Sequence, residues 1–121
     1  MRMWMLPPII LCKNHLLGEH SEIHKFRPSF VKKFNIDKRM FPIVQILPRH
    51  MKKRHEELVK EMLRRGYNHK SPYTLPSLSY LPLKHLMTKP NLKYNIEDLI
   101  SRCPECRKRY ILYKYHNSEG L

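Results

Sequence analysis

The stretch RHMKKRHEELVKEMLRRG, residues 49–66, carries the strongest structural signal in the chain. Along it, side chains suited to a core recur at helical spacing: Met51, His55, Leu58 and Met62, flanked by Val59 and Leu63. Recurrence every three or four residues is typical of an amphipathic helix that packs one face on a core. We therefore predict a helix over residues 49–65, ended by Gly66, because glycine readily adopts the left-handed conformation that follows a helix.

A second helix is predicted before this stretch, over residues 13–26. Asn14 is a candidate N-cap, and Pro28 would follow the end of the helix. The apolar side of this helix consists of Cys12, Leu16, Ile23 and Phe26.

A third helix is predicted to begin near Asn95, with Asp98 as the other half of a weak capping box. Its apolar side contains Ile96, Leu99 and Ile100, and Pro104 interrupts it. Residues 71–92 include four prolines and are predicted to form a stiffened connection rather than a sheet. Residues 44–47 are apolar enough for one short strand. The predicted fold is mainly α, a compact single domain over residues 1–121.

The net charge indicates a polyanionic partner. The 121 residues include 24 Lys and Arg against 10 Asp and Glu, a formal net charge of +14. In so small a chain this excess favours nucleic acid. We see no basic amphipathic helix with an aromatic face and no apolar run approaching the roughly 20 residues of a membrane span. We expect no membrane association, no obligate protein partner and a monomer.

The cysteines and the first residues argue against secretion. Three cysteines are an odd number, unlike the paired cysteines of a secreted disulfide scaffold. The opening MRMWMLPPIILC contains two prolines and lacks a small-residue cleavage site, so we reject a signal peptide. An intracellular, reducing compartment is expected.

Two carboxylates and an imidazole share one side of the helix over residues 13–26. His15, Glu19 and Glu22 stand at i, i+4 and i+7, which places them in one stripe. Such a set can perform acid–base chemistry or bind a metal. The alternative is an ordinary solvated helix face. Carboxylates beside an apolar face do nothing for DNA affinity in a basic protein, and this favours a functional role.

The sequence Cys103-Pro104-Glu105-Cys106 has the spacing of half a zinc site. Cys12 is the only further cysteine, and no His-x-x-x-His pair follows; His20 and His24 could in principle contribute. We predict no metal and no cofactor in the site, with buried thiols beside a helix kink. A zinc-stabilised protein remains the alternative.

The C-terminal part interleaves cations with aromatic residues. Arg107 and Lys108 precede Tyr110, and Tyr113 and Lys114 follow. Such a surface can hold phosphates and pack on sugars or bases. The alternative is that the tyrosines close the core, since tyrosine has an apolar body and a polar tip.

Three separated stretches resemble the pyrimidine-dimer DNA glycosylases of the phage endonuclease V family. The first contains Arg2 and then His15, Leu16, Glu19 and Glu22. The second contains Lys53, Arg54, Glu57, Leu58, Val59 and Glu61, followed by residues 63–68. The third contains residues 96–102, followed by residues 113–115. Together these stretches cover about half the chain, in the order that the family shows.

The resemblance implies three helices with the N-terminal segment threaded between them. It also implies a base-excision repair enzyme for pyrimidine dimers in duplex DNA, both glycosylase and abasic-site lyase, encoded by a microbe or a virus. The amine of Met1 would attack C1′ of the damaged nucleotide and form a Schiff base before β-elimination. Glu22 falls at the essential carboxylate, and His15 would lie near the reacting sugar.

The DNA contacts implied by the resemblance are cationic. Arg2 and Arg102 fall at phosphate-binding positions, and Lys25 falls where the family carries a DNA-binding arginine. We assign further DNA contacts to Arg107, Lys108, Tyr113 and Lys114. The chain also departs from the family, because Ser21 and Cys106 stand where an arginine and a lysine are expected. The alternative function is a non-catalytic basic nucleic-acid-binding module, zinc-stabilised through Cys103 and Cys106.

Overall fold

The computed structural model describes residues 2–41, 43–69 and 71–119, with side chains described as far as His116. Within these ranges the chain forms five α-helices: α1 (Lys13–Val31), α2 (Met51–Arg64), α3 (Leu83–Leu86), α4 (Leu92–Arg102) and α5 (Pro104–Glu119). Short 3-10 turns cover Pro8–Ile10, Asp37–Arg39 and Pro48–His50. No strand occurs in the described ranges, which confirms the prediction of a mainly α fold. None of the helices within these ranges is both long and apolar enough to cross a membrane.

Residues 2–12, the N-terminal segment, pass through the interior of the helical assembly. The buried side chains include Met3, Trp4, Leu6, Ile10 and Leu11. Helix α4 donates a hydrogen bond to this segment from Asn95 Nδ2 to the Trp4 carbonyl, at 3.0 Å. Arg65, directly after α2, donates another to the Leu11 carbonyl, at 2.7 Å. The expected threading of this segment between helices is therefore confirmed.

Helix α1 begins at Lys13 as predicted, but its N-cap and its C-terminal end differ from the prediction. Its N-cap is Cys12 rather than Asn14, since the Cys12 sulfur accepts from the His15 backbone N–H. The helix also continues through Pro28 to Val31 instead of ending before the proline. Pro28 leaves one carbonyl of the preceding turn without its helical donor. Burial of Phe30, which packs edge-on against Phe26, favours the added turn.

Helix α2 confirms the periodicity that predicted it. Its buried positions include Met51, His55 and Leu58, whereas Leu63 is 57% exposed and does not belong to the stripe. Gly66 adopts φ +84° directly after the helix. The N–H of Tyr67 bonds to the carbonyl of Met62 at 2.9 Å, and that of Gly66 bonds to Leu63 at 3.0 Å. These two bonds form a Schellman motif, which ends the helix as predicted.

The C-terminal third contains two helices where one was predicted. Helix α4 begins at Leu92, because the Asn91 side chain caps it by accepting from the Tyr94 N–H. Asn95 therefore lies inside α4, buried, and is not its cap. Helix α5, which sequence analysis missed, begins at Pro104, a residue whose fixed φ suits the first position of a helix.

The loops contain one confirmed and one wrong prediction. Residues 71–92 form a connection without strands, and α3 provides its only helical turn among the described residues. Residues 44–47 do not form the suggested strand. The N-terminal segment beside them supplies one backbone bond, from Met3 N–H to the Gln45 carbonyl, rather than a ladder. Pro48 then ends the extended stretch in a 3-10 turn.

A buried ion pair fixes α1 against α2. Arg54 donates two hydrogen bonds to the carboxylate of Glu19, at 2.6 and 3.0 Å, and both side chains are at most 2% exposed. Taking both charges out of water is costly, so this bidentate geometry is needed to compensate for desolvation. Glu19 is therefore committed to the helix interface.

The substitution Arg54→Met should lower the free energy of unfolding by about 3–5 kcal/mol, because it leaves the Glu19 carboxylate buried and unpaired. Urea denaturation would measure the effect. Arg64→Met is a matched control, since Arg64 is 57% exposed and its partner Glu61 keeps Arg65. The control should change stability by no more than about 1 kcal/mol. Equal losses in the two variants would contradict the role given to the buried pair.

Candidate functional site

Three of the residues assigned to the site by sequence lie in one cleft. This cleft, called the Arg2 cleft, has a volume of about 490 Å³. It is lined by Arg2, Trp4, Asn14, His15, Glu19, Gln45 and Arg102. The N-terminal segment, α1 and α4 thus bring Arg2, His15 and Arg102 together, although Arg102 lies a hundred positions from Arg2 in sequence.

Asp98 organises the two arginines of the Arg2 cleft. Its carboxylate accepts from Arg2 at 2.6 Å and also from Arg102. The two guanidinium carbons lie 4.7 and 5.9 Å from the centre of the Trp4 ring. One carboxylate neutralises only one of the two cations, so the pair keeps a net positive charge. Guanidinium groups held in this way suit a phosphate, whose oxygens can accept from both.

Glu22 faces a second cleft, of about 750 Å³, called the Glu22 cleft. Lys25 lines it beside Glu22, and residues 34–39 close the opposite wall. A guanidinium nitrogen of Arg39 lies 3.6 Å from the Glu22 carboxylate, whose side chain is 13% exposed. Sequence analysis missed Arg39, because the pairing depends on how the 3-10 turn Asp37–Arg39 folds back toward α1.

The two clefts adjoin through one side chain. Arg39, in the Glu22 cleft, donates a hydrogen bond at 3.1 Å to Oε1 of Gln45, which lines the Arg2 cleft. The Gln45 carbonyl in turn accepts from the Met3 N–H at 2.8 Å. The start of the described chain is therefore linked to the Glu22 carboxylate through two neighbouring side chains. Met1 lies outside the described residues.

The predicted stripe of His15, Glu19 and Glu22 is thus divided by the fold. His15 lines the Arg2 cleft, Glu22 lines the Glu22 cleft, and Glu19 is occupied by Arg54. Helical spacing placed the three correctly on one side of α1. It could not show which partner each carboxylate meets, because those partners come from distant parts of the sequence.

The cysteines meet His15. Nδ1 of His15 lies 3.1 Å from the Cys12 sulfur and 3.4 Å from the Cys106 sulfur, and the Cys103 sulfur lies 3.8 Å from that of Cys12. Burial raises the pKa of Cys106 to about 12. Burial and then the charge of Arg102 lower the pKa of His15. We refer to these four residues as the cysteine cluster.

The cysteine cluster corrects one step of the sequence analysis. Cys12-Lys13-Asn14-His15 has the same spacing as Cys103-x-x-Cys106, and the fold brings the two pairs together. That signal was available in the sequence. Cys106 stands where the family resemblance leads one to expect a lysine. Because Cys106 is fully buried, this position does not offer a side chain to DNA.

Four histidines form another cluster, from α1, α2 and the loop after α2. Nε2 of His20 lies 3.2 Å from Nε2 of His55 and 3.0 Å from that of His69. Nε2 of His24 lies 3.1 Å from Nε2 of His55. Burial, together with the three neighbouring imidazoles, lowers the pKa of His20 to about 4. This histidine cluster brings together His20 and His24, which sequence analysis had considered as partners of the cysteines.

Helix α5 presents cations to solvent and two of its tyrosines to the core, whereas Tyr115 is exposed. Arg107, Lys108 and Lys114 are exposed, whereas Tyr110 and Tyr113 pack against the core. Lys114 lies 5.8 Å from the centre of the Tyr110 ring. The core packing of Tyr110 and Tyr113 supports the interpretation that tyrosines close the core. DNA binding by the exposed cations stays a prediction.

A helical, strongly basic protein with paired arginines beside a carboxylate cleft belongs to the class of nucleic-acid-acting proteins. A family model described as pyrimidine dimer DNA glycosylase matches residues 1–75. The chain belongs to this family, as the resemblance indicated. No curated relative and no solved structure shows a match. Glycosylase activity in DNA repair, with damaged DNA as the substrate, follows from the family.

Replacing Arg102 with glutamine should weaken binding to duplex DNA and lower the slope of log affinity against log salt by about one, because one phosphate contact is lost. Fluorescence anisotropy over a range of salt concentrations would measure both. Lys60→Gln is the control, since Lys60 is exposed on α2 and lines neither cleft. The same slope in Arg102→Gln as in the unmodified protein would place Arg102 away from the phosphates.

Proposed function

We propose that the protein is a bifunctional enzyme that excises pyrimidine dimers from duplex DNA and then cleaves the backbone at the abasic site. The nucleophile is the amine of Met1. An α-amine titrates near pH 7.7–8.0, against about 10.4 for lysine, so a useful fraction is neutral under physiological conditions. A neutral amine is required, because its lone pair forms the new bond to carbon.

The proposed chemistry has two stages. The amine nitrogen attacks C1′ of the 5′ nucleotide of the dimer, and the bond from C1′ to its pyrimidine breaks. That base takes the bonding electrons and stays joined to the neighbouring pyrimidine through the cyclobutane ring. Loss of the amine proton and ring opening give a Schiff base between residue 1 and the sugar. Removal of a C2′ proton then expels the 3′ phosphate by β-elimination, and water releases the enzyme from the cleaved strand.

The observation that carries this proposal is the link between the start of the chain and Glu22. Met3 is held by Gln45, Gln45 by Arg39, and Arg39 lies beside the Glu22 carboxylate. Consecutive α-carbons are about 3.8 Å apart. An amine on residue 1 would therefore act within a short reach of Arg2 and of the Gln45 and Arg39 side chains, whose hydrogen bond links the two clefts.

Glu22 is proposed to stabilise the cationic transition state and to take the C2′ proton. It is suited to this role because its side chain is largely enclosed, and because the Arg39 guanidinium lies 3.6 Å away instead of forming a tight bidentate bond. Glu19 is not available for the same chemistry, because Arg54 occupies both of its oxygens. His15 is proposed to border the sugar in the Arg2 cleft.

Arg39 provides a guanidinium beside Glu22, where the family pattern leads one to expect an arginine at position 21. Ser21 replaces the arginine expected beside the catalytic carboxylate, and Arg39 brings a guanidinium to Glu22 from another part of the chain. We propose that it holds the carboxylate in place. Arg2, Arg102 and Lys25 are proposed to bind phosphates around the two clefts.

The exposed side of α5 is proposed to extend the DNA contact. Arg107, Lys108 and Lys114 would add cations there, and Tyr113 would support them from the core side. Together with the cations of the two clefts, these side chains would bind the phosphates of a duplex, which carries a negative charge about every 1.7 Å along its axis.

Ultraviolet-irradiated plasmid tests the proposal directly. The unmodified protein should nick irradiated plasmid and leave undamaged plasmid closed. Glu22→Gln should lower the nicking rate by about 10²- to 10⁴-fold, as expected for loss of an acid–base group, while DNA affinity is retained. Glu97→Gln, on the exposed part of α4, is the matched control and should nick normally.

Two results would contradict the proposal. Nicking at an unchanged rate by Glu22→Gln would remove the catalytic role of that carboxylate. Salt-dependent DNA binding by the unmodified protein without any nicking would support the alternative, a non-catalytic nucleic-acid-binding module.

A further inference from the structure

We propose that Cys12, His15, Cys103 and Cys106 form a structural zinc site. None of the three sulfur atoms takes part in the proposed glycosylase chemistry. The fourth ligand, His15, also lines the Arg2 cleft, so the test of this inference is metal content and not activity. The four ligand atoms come from two Cys/His pairs with two intervening residues each, the spacing common in structural zinc sites.

The distances within the cysteine cluster fit a tetrahedron around one ion. Zinc bonds of about 2.3 Å to sulfur and about 2.0–2.1 Å to nitrogen give edges of about 3.8 Å between sulfurs and about 3.5 Å between sulfur and nitrogen. The structure has 3.8 Å between the Cys12 and Cys103 sulfurs. Nδ1 of His15 lies 3.1 and 3.4 Å from two of the sulfurs. All four ligand atoms lie within 4.8 Å of one another.

Backbone amides around the cluster donate to sulfur in the way that metal-bound thiolates require. Cys106 Sγ accepts from the N–H of Cys12 at 3.2 Å, and Cys103 Sγ accepts from the N–H of Cys106 at 3.4 Å. The N–H of His15 lies 3.5 Å from Cys12 Sγ. Three thiolates and one Zn²⁺ carry a net charge of −1, and these donors stabilise it.

The proposed zinc ties together parts of the chain that are far apart in sequence. Cys12 ends the N-terminal segment and caps α1, whereas Cys103 and Cys106 lie at the junction of α4 and α5. Zinc at this point would hold the segment that carries Arg2 against the helix that carries Arg102. Binding through Nδ1 of His15 would also leave Nε2 as the ring nitrogen available to the Arg2 cleft.

We propose a second metal site in the histidine cluster, on the basis of a separate observation. Nε2 of His55 has three polar neighbours at 3.1–3.2 Å: Nε2 of His20, Nε2 of His24 and the Ser71 carbonyl. A ring nitrogen carries either one proton or one lone pair, so it can satisfy only one of the three. A cation at the centre would satisfy all four imidazoles at once, because each would direct a lone pair to it.

The surroundings of the histidine cluster also suit a metal. The observed distances of 3.0–3.2 Å between nitrogens are close to the edge of about 3.3 Å expected for four imidazoles around zinc. Nδ1 of His55 faces a carboxylate oxygen of Glu56 at 3.1 Å. A carboxylate behind a ligating histidine is the usual outer contact at zinc sites, since it fixes the ring orientation.

Metal analysis of the untagged protein tests both sites. Protein purified under reducing conditions with zinc in the growth medium should contain two zinc ions per chain. Replacement by cobalt should give sulfur-to-cobalt charge-transfer absorption from the cysteine cluster and ligand-field bands without it from the histidine cluster. Chelation should lower the melting temperature, and added zinc should restore it.

Variants assign each ion to its cluster. Cys103→Ser and Cys106→Ser should each retain one ion and lose the charge-transfer absorption, whereas His24→Gln should retain one ion and keep that absorption. His116→Gln is the matched control, because His116 is exposed on α5 and belongs to neither cluster; it should retain both ions.

The measurements on the unmodified protein decide the question even if a variant fails to fold. One ion with charge-transfer absorption would overturn the histidine site. One ion without it would overturn the cysteine site, and substoichiometric metal would overturn both. These results do not depend on whether irradiated plasmid is nicked, so the metal sites and the proposed enzyme activity can fail independently.

Discussion

Burial of the N-terminal segment is the constraint on which the remaining structure depends. An extended segment inside a helical protein has no ladder to satisfy its carbonyls, and an unsatisfied buried carbonyl is costly. In this protein, side chains take over that task. Asn95 of α4 donates to the Trp4 carbonyl, Arg65, directly after α2, donates to the Leu11 carbonyl, and Arg109 of α5 donates to the Ile9 carbonyl. The N-terminal segment therefore positions three helices, and its first described residue, Arg2, lines the Arg2 cleft.

Ion pairs and hydrogen bonds also compensate the positive charges inside this basic protein. Its buried arginines are paired or engaged with backbone carbonyls, as Arg54 is with Glu19 and Arg65 is with Glu61 and Leu11. Other cations are exposed, among them Arg107 and Lys108 on α5. Arg54 and Arg65 thus serve the packing of the protein, whereas the exposed cations of α5 remain accessible to a polyanion.

The sequence allowed much of the fold to be predicted, because helical periodicity is local. The stripe of α2 and its glycine end could be read from neighbouring residues alone. Helix α5 was missed because its apolar and charged residues are interleaved, with Ile111 and Leu112 exposed beside Lys114. The end of α1 was misplaced because Pro28 is a strong local signal that the packing of Phe30 overrides.

The site was predictable only where its residues lie near one another in sequence. Glu22 and His15 could be placed on one helix, whereas the contacts of Glu22 with Arg39 and of Arg2 with Asp98 come from the tertiary fold. The cysteine cluster is an intermediate case: both of its pairs are visible in the sequence, but only the fold shows that Cys12 and His15 complete Cys103 and Cys106.

The proposed mechanism depends on the amine of residue 1 acting beside Glu22, and covalent trapping tests that most directly. The untagged protein would be incubated with duplex DNA containing a cyclobutane dimer or an abasic site, reduced with borohydride, digested and mapped by mass spectrometry. We expect the reduced sugar on the α-nitrogen of Met1, and no adduct when an N-terminal extension blocks that amine. An adduct on a lysine, or none with either DNA, would contradict the central claim.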